Sequence, residues 1–214
     1  MELERRGPAD GDRRRLRRSF RSKRRRIPPG EQAAHAEAVA RHFFTSGLFM
    51  RSRTLGSYFS NDADGELSTA PVMARLLETR KRLALPVVGR HGTMRFYRFR
   101  RGTPLIANRF GIFEPAPGAR YVSPLAVDVL LVPLVAFDGN GVRLGMGAGY
   151  YDRFLGRIPP VMRPRLVGLA HEVQRSPEAL PRAAWDVPLD GVLTEAGWQT
   201  FHRGNHDRED GHGS

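Results

Sequence analysis

Three glycines at alternate positions, Gly145, Gly147 and Gly149, stand between a strongly apolar segment and a sequence that can begin a helix. Glycine tolerates positive φ and lets another group approach the backbone closely. The free N–H groups of a first helical turn, together with the helix dipole, favour a bound anion. A strand, a glycine loop and a helix start in this order therefore form a candidate phosphate cradle.

Two charged side chains flank this loop and suit the same chemistry. Arg143 supplies a planar guanidinium that can bind phosphate through paired hydrogen bonds. Asp152 supplies a carboxylate that can hold a hard cation such as magnesium. The loop has neither the Lys-Ser/Thr of a Walker sequence nor the spacing of the dinucleotide fingerprint. A tight loop with packed tyrosines, Tyr150 and Tyr151, is therefore the alternative interpretation.

The elements around this loop predict an α/β domain. Residues 126–132 form a nearly continuous apolar run, as in a strand covered on both faces. The loop follows the carboxyl end of this strand, where ligands bind in open α/β sheets. Other strands are predicted at 54–59, 82–88, 94–99, 166–170 and 191–193, and helices at 31–48 and 66–80. We therefore predict one domain over residues 13–202, with a mostly parallel central sheet flanked by helices in a Rossmann-like three-layer arrangement.

An arginine-rich segment opens the chain and carries most of its net charge of +13. Residues 1–26 hold 12 Arg or Lys and 4 Asp or Glu, a local net charge of +8. Leu16, Phe20 and Ile27 recur about once per helical turn, which predicts a basic helix over 13–26 docked on a core. Its arginines could form a solvated, non-specific nucleic-acid patch or reach a nucleotide phosphate. The polar ends, residues 1–12 and 203–214, are predicted to be disordered.

Composition excludes several kinds of chemistry. The chain has no cysteine, so disulfides, thiol nucleophiles and cysteine-held metals are excluded. The longest apolar stretch, residues 129–137, is far shorter than the roughly 20 residues that span a bilayer. The charged N-terminus has no apolar run of the secretory type behind it. We therefore expect a cytoplasmic protein without a membrane partner.

Residues 132–155 as a whole resemble the signature of the 5-formyltetrahydrofolate cyclo-ligase family, also called 5,10-methenyltetrahydrofolate synthetase. They contain the pattern Val-Pro-x-x-Ala-Phe-Asp-x-x-Gly-x-Arg-Leu-Gly-x-Gly-x-Gly-Tyr-Tyr-Asp-Arg-x-Leu. Further matches follow in the family's order: Arg13-x-x-Leu16-Arg17, Gly65-Glu66-Leu67 with Thr69, Phe110-Gly111-Ile112 with Glu114-Pro115, and Asp186-Val187-Pro188-Leu189-Asp190. The resemblance covers roughly residues 13–200.

This resemblance implies an ATP- and magnesium-dependent ring closure. 5-Formyltetrahydrofolate would become 5,10-methenyltetrahydrofolate with release of ADP and phosphate. The formyl oxygen would accept the γ-phosphate, and N10 would then attack the activated carbon. Such a transfer depends on positioning and charge neutralisation more than on a protein nucleophile. The resemblance further implies a monomer that acts on a small folate, with or without a polyglutamate tail, and it disfavours nucleic acid as a partner.

The resemblance also implies roles for individual residues. Arg143 and Tyr151 are the expected catalytic residues. Nucleotide contacts are expected from Arg13, Arg17, Arg143, Leu144, Gly145, Met146, Gly147, Ala148, Gly149, Tyr150 and Tyr151. Folate contacts are expected from Asn61, Glu66 and Tyr150, and magnesium ligands from Asp152 and Asp190.

Three positions qualify these assignments. Arg13 stands where the family commonly has lysine, and Ala148 where it often has glycine or lysine. From the residues alone, Asp186 and Asp190 are either ordinary turn carboxylates or include one that points into the site. An anion- or nucleic-acid-binding protein, or another nucleotide-utilising α/β enzyme, remains the alternative, because a fold does not fix a function.

Overall fold

A computed structural model describes residues 8–201 of the chain, with side chains described from residue 11. Its helices are α1 (Pro8–Arg25), α2 (Pro29–Thr45), α3 (Gly47–Arg51), α4 (Ala70–Leu76) and α5 (Tyr150–Leu155). Its strands are β1 (Thr54–Gly56), β2 (Arg82–Val88), β3 (Met94–Phe99), β4 (Leu105–Ala107), β5 (Phe113–Pro115), β6 (Tyr121–Val122), β7 (Val129–Pro133), β8 (Ala136–Phe137), β9 (Arg143–Leu144), β10 (Arg165–Leu169), β11 (Gly191–Thr194) and β12 (Gly197–Thr200).

The central sheet has eight strands in the order β12-β11-β10-β7-β1-β2-β3-β6. The five strands from β11 to β2 pair in parallel, whereas β12, β3 and β6 are antiparallel to their neighbours. The predicted α/β class with a mostly parallel sheet is confirmed. Only five residues separate β2 from β3, which is too short for the crossover that a parallel pair requires.

Successive residues of the central strands face two different apolar clusters. Leu83 and Leu85 of β2 lie in a cluster with Phe43 of α2 and with residues of α3 and α4. Ala84, between them, belongs to a cluster on the other face that includes Phe154 of α5. Because side chains alternate across a strand, helices cover both faces of the sheet and give the predicted three layers.

Helix α1 docks on the domain through the apolar positions that the sequence predicted. Phe20 is 3% exposed and packs with Val135, Ala136 and Leu144, and Leu16 lies against the same cluster. Arg13, Arg17, Arg21 and Arg24 are partly or fully buried against the rest of the protein, whereas Arg14, Arg15 and Arg18 are exposed. The basic segment is therefore a fixed element of the fold and not a loose arm.

The end of α1 braces the loop that follows β1. Arg24 is fully buried and donates to the carboxylate of Asp64, to its carbonyl at 2.8 Å and to the carbonyl of Leu134 at 3.1 Å. Arg21 and Arg25 donate to the same carboxylate. We call Asp64 with these three arginines the Asp64 brace.

Several boundaries differ from the sequence prediction. Helix α1 begins at Pro8, so residues 8–12, which were predicted to be disordered, are helical. The predicted strand at 54–59 ends at Gly56, and the predicted helix at 66–80 is limited to α4. The remaining parts of the predicted disordered ends, residues 1–7 and 203–214, lie outside the described residues. Within residues 8–201, no helix has the length and apolar character that crossing a bilayer requires.

Candidate active site

A cavity of about 980 Å³ lies beyond the carboxyl end of β7. After β7 the chain forms the β8–β9 hairpin, then the glycine loop (residues 145–149), and then α5. The glycine loop forms one wall of the cavity. The other walls come from α1, the segment after β1, the β4–β5 hairpin and residues 181–186. This volume is at the upper end of the range for small-molecule sites, so the cavity has room for large ligands.

The glycine loop requires its glycines for conformational reasons. Gly147 has φ 104° and Gly149 has φ 65°, and both values lie in the region that favours glycine. A Cβ atom on Gly147 would lie 3.3 Å from Cζ of Arg17. The Arg17 Nε–H donates to the carbonyl of Gly145 at 2.8 Å, so the guanidinium of α1 lies directly against the loop.

Two arginines in the cavity wall are held by carboxylates. Arg13 donates to Asp186 at 2.8 Å, and Arg143 donates to Asp152 at 2.5 Å. Arg143 is 7% exposed and also donates to the carbonyl of Val187. The Nε–H of Arg13 is buried and has no hydrogen-bond partner. An unpaired buried donor is costly, so this atom fits an acceptor that enters the cavity.

Asp152 and Asp186 place two carboxylates at this end of the cavity. Oδ1 of Asp152 accepts from Arg143 and, at 3.3 Å, from the backbone N–H of Val187. Oδ2 of Asp186 accepts from Arg13 and from the backbone N–H of Ala183 at 2.8 Å. A carboxylate beside an anion-binding loop has the donor chemistry that magnesium requires.

Glu66 lies at the other end of the cavity. Its Oε2 accepts from the backbone N–H of Asn61 at 2.9 Å, and its Oε1 lies 3.6 Å from Arg24. Burial raises the pKa of Glu66, and this effect outweighs the opposing influence of the Asn61 N–H and of the Arg24 charge. Gly65, at φ 65°, packs against the backbone of Arg24 and directs the chain into this position.

Two tyrosines surround Glu66. Burial and the charge of Glu66 raise the pKa of Tyr151 well above its ordinary value, although Arg143 acts in the opposite direction. The same two causes raise the pKa of Tyr58. Both hydroxyl groups are therefore protonated at neutral pH and can donate hydrogen bonds. Tyr151 lines the same cavity as Glu66 and Arg143, and the charges of both act on its hydroxyl.

The loop of the β4–β5 hairpin contacts the first residue of α5. Arg109 donates to the Tyr150 hydroxyl at 2.7 Å, and the rings of Phe110 and Tyr150 meet edge to face with centroids 6.5 Å apart. Glu114 is 6% exposed and accepts from the side chain of Asn108 at 2.6 Å, which fixes the hairpin internally. The wall therefore combines aromatic surface with fixed polar groups, which suits a planar heterocycle.

Most residues that the sequence predicted for the site line this one cavity. They are Arg13, Arg17, Asn61, Glu66, Arg143, Gly145, Met146, Gly147, Ala148, Gly149, Tyr150, Tyr151 and Asp152. They come from distant parts of the chain, and the fold brings them together.

Leu144 and Asp190 lie elsewhere. The side chain of Leu144 is 1% exposed and packs with Phe20 of α1 in an apolar cluster. Asp190 is 7% exposed and does not line the cavity, because its Oδ2 accepts from the backbone N–H of Leu166 at 2.8 Å, at the start of β10. Of the two aspartates in the motif at 186–190, the structure brings Asp186 to the cavity and leaves Asp190 beside the sheet.

The sequence analysis missed several residues of the cavity wall. Tyr58, Asn108, Glu114 and Trp185 all line it. Tyr58 follows the carboxyl end of β1, the strand beside β7, and this position was the available signal. Trp185 is 74% exposed, and an exposed aromatic next to Asp186 was a second signal. Asn108 lies in a hairpin that the sequence did not predict.

Comparison with known proteins gives a consistent result. The sequence profile described as the 5-formyltetrahydrofolate cyclo-ligase family matches residues 9–195. The 5-formyltetrahydrofolate cyclo-ligase of Escherichia coli strain K12 is 38% identical over 178 residues, which cover 82% of this chain and 96% of that relative. The 5-formyltetrahydrofolate cyclo-ligase of Haemophilus influenzae is 36% identical over 191 residues, which cover 85% of this chain and 96% of that relative.

A solved structure shares the fold as well as the sequence. The NMR structure of Aquifex aeolicus 5,10-methenyltetrahydrofolate synthetase superposes with a TM-score of 0.76 at 33% identity. The superposition covers 94% of this chain and 99% of that chain.

Proposed function

This chain belongs to the 5-formyltetrahydrofolate cyclo-ligase family, and we propose that it uses ATP and Mg²⁺ in the cavity beside β7 to convert 5-formyltetrahydrofolate into 5,10-methenyltetrahydrofolate. The observation that carries this proposal is the convergence of the glycine loop, three arginines, Asp152 and Glu66 on one cavity. A two-substrate reaction needs such a site, with anion-binding groups and heterocycle-binding groups facing a shared space.

The anion-binding end supports a triphosphate ligand. Arg17 and the glycine loop are joined by the hydrogen bond to Gly145, and the buried Nε–H of Arg13 is available to an acceptor. Arg143 adds a third guanidinium that is already fixed in the wall. Pre-positioned cations neutralise developing phosphate charge without reorganisation during the reaction.

The fit of magnesium depends on Asp152. Its carboxylate lines the cavity, is 22% exposed and pairs with Arg143. Magnesium keeps several waters and needs one or two protein carboxylates beside substrate phosphates, so Asp152 would be its principal protein ligand. Asp186 is the second carboxylate of this end, and Asp190 does not enter the proposal because it lies outside the cavity.

The opposite end fits the folate. Glu66 can accept hydrogen bonds from the N–H groups of a pterin ring, and Tyr58 and Tyr151 can donate from their protonated hydroxyls. Tyr150, held by Arg109, offers a ring face to a planar group. We propose that the substrate is a free or polyglutamylated folate and that the protein acts as a cytoplasmic monomer.

The chemistry requires little from the protein beyond placement. ATP with its Mg²⁺ supplies the phosphoryl group that turns the formyl oxygen into a leaving group. Arg13, Arg17 and Arg143 hold and neutralise the phosphate oxygens. Tyr151 shares the cavity with these arginines and Glu66, and its protonated hydroxyl would orient the formyl group by donating a hydrogen bond. Closure of the walls around both ligands favours the ring-closing attack through proximity.

The inward direction of α1 argues against a nucleic-acid arm. Arg13 and Arg17 line the cavity, and the Asp64 brace engages Arg21, Arg24 and Arg25. Five of the arginines of α1 therefore have partners or a place within the protein. Binding of duplex DNA that falls steeply with salt would favour the alternative instead.

The test is an absorbance assay for methenyltetrahydrofolate. We expect product only when 5-formyltetrahydrofolate, ATP and Mg²⁺ are all present, and we expect one ADP for each ring closed. Arg13→Gln should raise the KM for ATP about tenfold or more. Arg15→Gln is a matched control because Arg15 is exposed and pairs only locally with Asp12. No product in the complete mixture, or equal effects of the two substitutions, would refute the proposal.

A further inference from the structure

Three potential metal ligands meet outside the catalytic cavity, near the carboxyl ends of β10 and β11. His35 lies in α2, His171 directly follows β10, and Glu195 lies in the turn between β11 and β12. None of the three lines the catalytic cavity. His171 is fully buried and the other two are partly buried. The fold therefore brings together three potential metal ligands that are far apart in the sequence.

The donor atoms are close enough to share one ion. Nδ1 of His35 lies 2.9 Å from Nδ1 of His171 and 3.5 Å from Oε1 of Glu195. One donor atom from each residue can be chosen such that all three lie within 4.8 Å of one another. Zinc–nitrogen bonds of 2.0–2.1 Å separate tetrahedral ligand atoms by about 3.3 Å. Only a small movement of the two imidazoles is therefore needed to admit an ion.

The remaining atoms of the three groups suit ligation. Nε2 of His35 points toward Glu31, 3.6 Å away, so a carboxylate lies behind this imidazole. Nε2 of His171 is buried without a hydrogen-bond partner, so it is free to carry the proton when Nδ1 offers its lone pair. Both oxygens of Glu195 accept from the backbone N–H of Glu172, which fixes the carboxylate. Such partners behind the ligands orient metal sites generally.

We propose that His35, His171 and Glu195 bind one divalent transition-metal ion of the zinc class, with water completing a tetrahedral shell. Two imidazoles and a carboxylate are the donor set that zinc accepts, whereas magnesium prefers oxygen donors. Zinc binds imidazoles in their neutral form.

The ion would have a structural role. It would add a further link between α2, the end of β10 and the β11–β12 turn, which already share the apolar cluster of Phe43, Leu169 and Leu193. The site is separate from the proposed magnesium position at Asp152. Zinc should therefore raise stability without being required for turnover.

The experiment measures zinc binding to the full chain by isothermal titration and by metal analysis after dialysis. We expect one equivalent of Zn²⁺ per chain and a rise in Tm of about 5–10 °C at a hundredfold excess over Kd. His35→Gln and Glu195→Gln should each weaken zinc binding at least about tenfold. A cobalt-substituted wild-type protein should show the visible spectrum of tetrahedral coordination.

A matched control separates this site from other histidines. His91→Asn removes an exposed histidine outside the cluster, in a left-handed conformation that asparagine tolerates. This variant should bind zinc like the wild type. Histidines at 202, 206 and 212 are present in every variant, so their contribution is constant. Unchanged zinc affinity in both ligand variants, or a cobalt spectrum that they do not alter, would overturn the proposal and leave the two histidines as a hydrogen-bonded pair.

Discussion

The two halves of α1 use the same kind of ion pair for different purposes. In its second half, Arg24 is wholly buried and shares the Asp64 carboxylate with two other arginines. In its first half, Arg13 is 18% exposed, holds one carboxylate and keeps an unpartnered Nε–H at the cavity. Both regions use arginine–carboxylate pairs, so residue type does not tell them apart. The supporting region differs from the ligand-binding region in that pairing is complete there, since every donor nitrogen of Arg24 has a hydrogen-bond partner.

The electrostatics of the supporting half follow from this completeness. Burial by itself raises the pKa of Asp64, but hydrogen bonds from Arg21 and Arg25 and the charge of Arg24 outweigh it. The net result is a pKa below the ordinary value. A buried charge is tolerated because several partners satisfy it. The first half of α1, which lines the cavity, keeps a hydrogen-bond donor available to a ligand. Substitutions there should leave the protein folded.

The largest effect should come from the supporting half. Arg24→Met removes a fully buried charge and leaves the carbonyl of Asp64 without the Arg24 donor, whereas the carbonyl of Leu134 still accepts from Gln174 at 3.0 Å. We expect a loss of about 3 kcal/mol in the free energy of unfolding, the lower end of the range for broken buried pairs, because two arginines still hold Asp64. Urea unfolding followed by circular dichroism measures this loss.

Arg25→Ala is the control for that experiment. Arg25 contacts the same carboxylate but is 50% exposed, so its removal should cost less than about 1 kcal/mol. If the two variants lost the same amount of unfolding free energy, burial would not determine how much each ion pair contributes to stability.

The next effect should come from the cavity wall formed by α5 and should appear in activity alone. Asp152→Asn keeps the size of the side chain but removes the charge that would hold Mg²⁺. A metal ion contributes several kcal/mol to such a transition state, so kcat should fall about a hundredfold or more. The unfolding free energy should stay within about 1 kcal/mol of the wild-type value. Turnover near the wild-type rate would remove Asp152 from the metal role.

A smaller effect should follow from the glycine loop. Gly147→Ala places a side chain at φ 104° and 3.3 Å from the Arg17 guanidinium. The conformational cost is on the order of 1–2 kcal/mol, which corresponds to about a tenfold change in kcat/KM for ATP. Gly139→Ala is the comparison, because φ there is ordinary and no atom lies within 4 Å of the added Cβ. Steady-state kinetics with varied ATP distinguish the two.

The smallest effect near neutral pH is the pH dependence of stability, which appears only when the solution is made acidic. The folded-state pKa of Asp64 lies below its unfolded value, so its contribution to stability is complete above the unfolded pKa of about 3.9. That contribution is lost as the pH falls through the folded pKa. An NMR titration of the Asp64 carboxyl carbon should therefore give a midpoint below that of an unfolded aspartate. A midpoint at or above the unfolded value would contradict the account of the Asp64 brace.

The sequence predicted the parts of the site that are local in the chain. Residues 143–152 combine strand end, glycines and helix start within ten positions, and their placement on one cavity wall needed no distant information. The docking of α1 was readable from the spacing of Leu16 and Phe20. Glu66 was predicted from the family resemblance. It is far from the glycine loop in sequence, so local patterns could not show that both line the same cavity.

What the sequence could not predict depended on pairing between distant segments. Spacing alone could not separate Asp186 from Asp190, because the decision rests on the backbone N–H of Leu166, which binds Asp190. The β4–β5 hairpin was missed because its strands have three residues each. The contact between His35 and His171 joins positions 136 residues apart and has no local signal.

The Asp64 brace has a consequence for how the two substrates are handled. Asp64 is two residues from Glu66, and the helix that clamps it also carries Arg13 and Arg17. Helix α1 therefore supports both the phosphate-binding groups and the segment that carries Glu66. A substitution that loosens this helix would lower the affinity for ATP and for the folate together. Saturating concentrations of only one of the two substrates would then not restore full turnover.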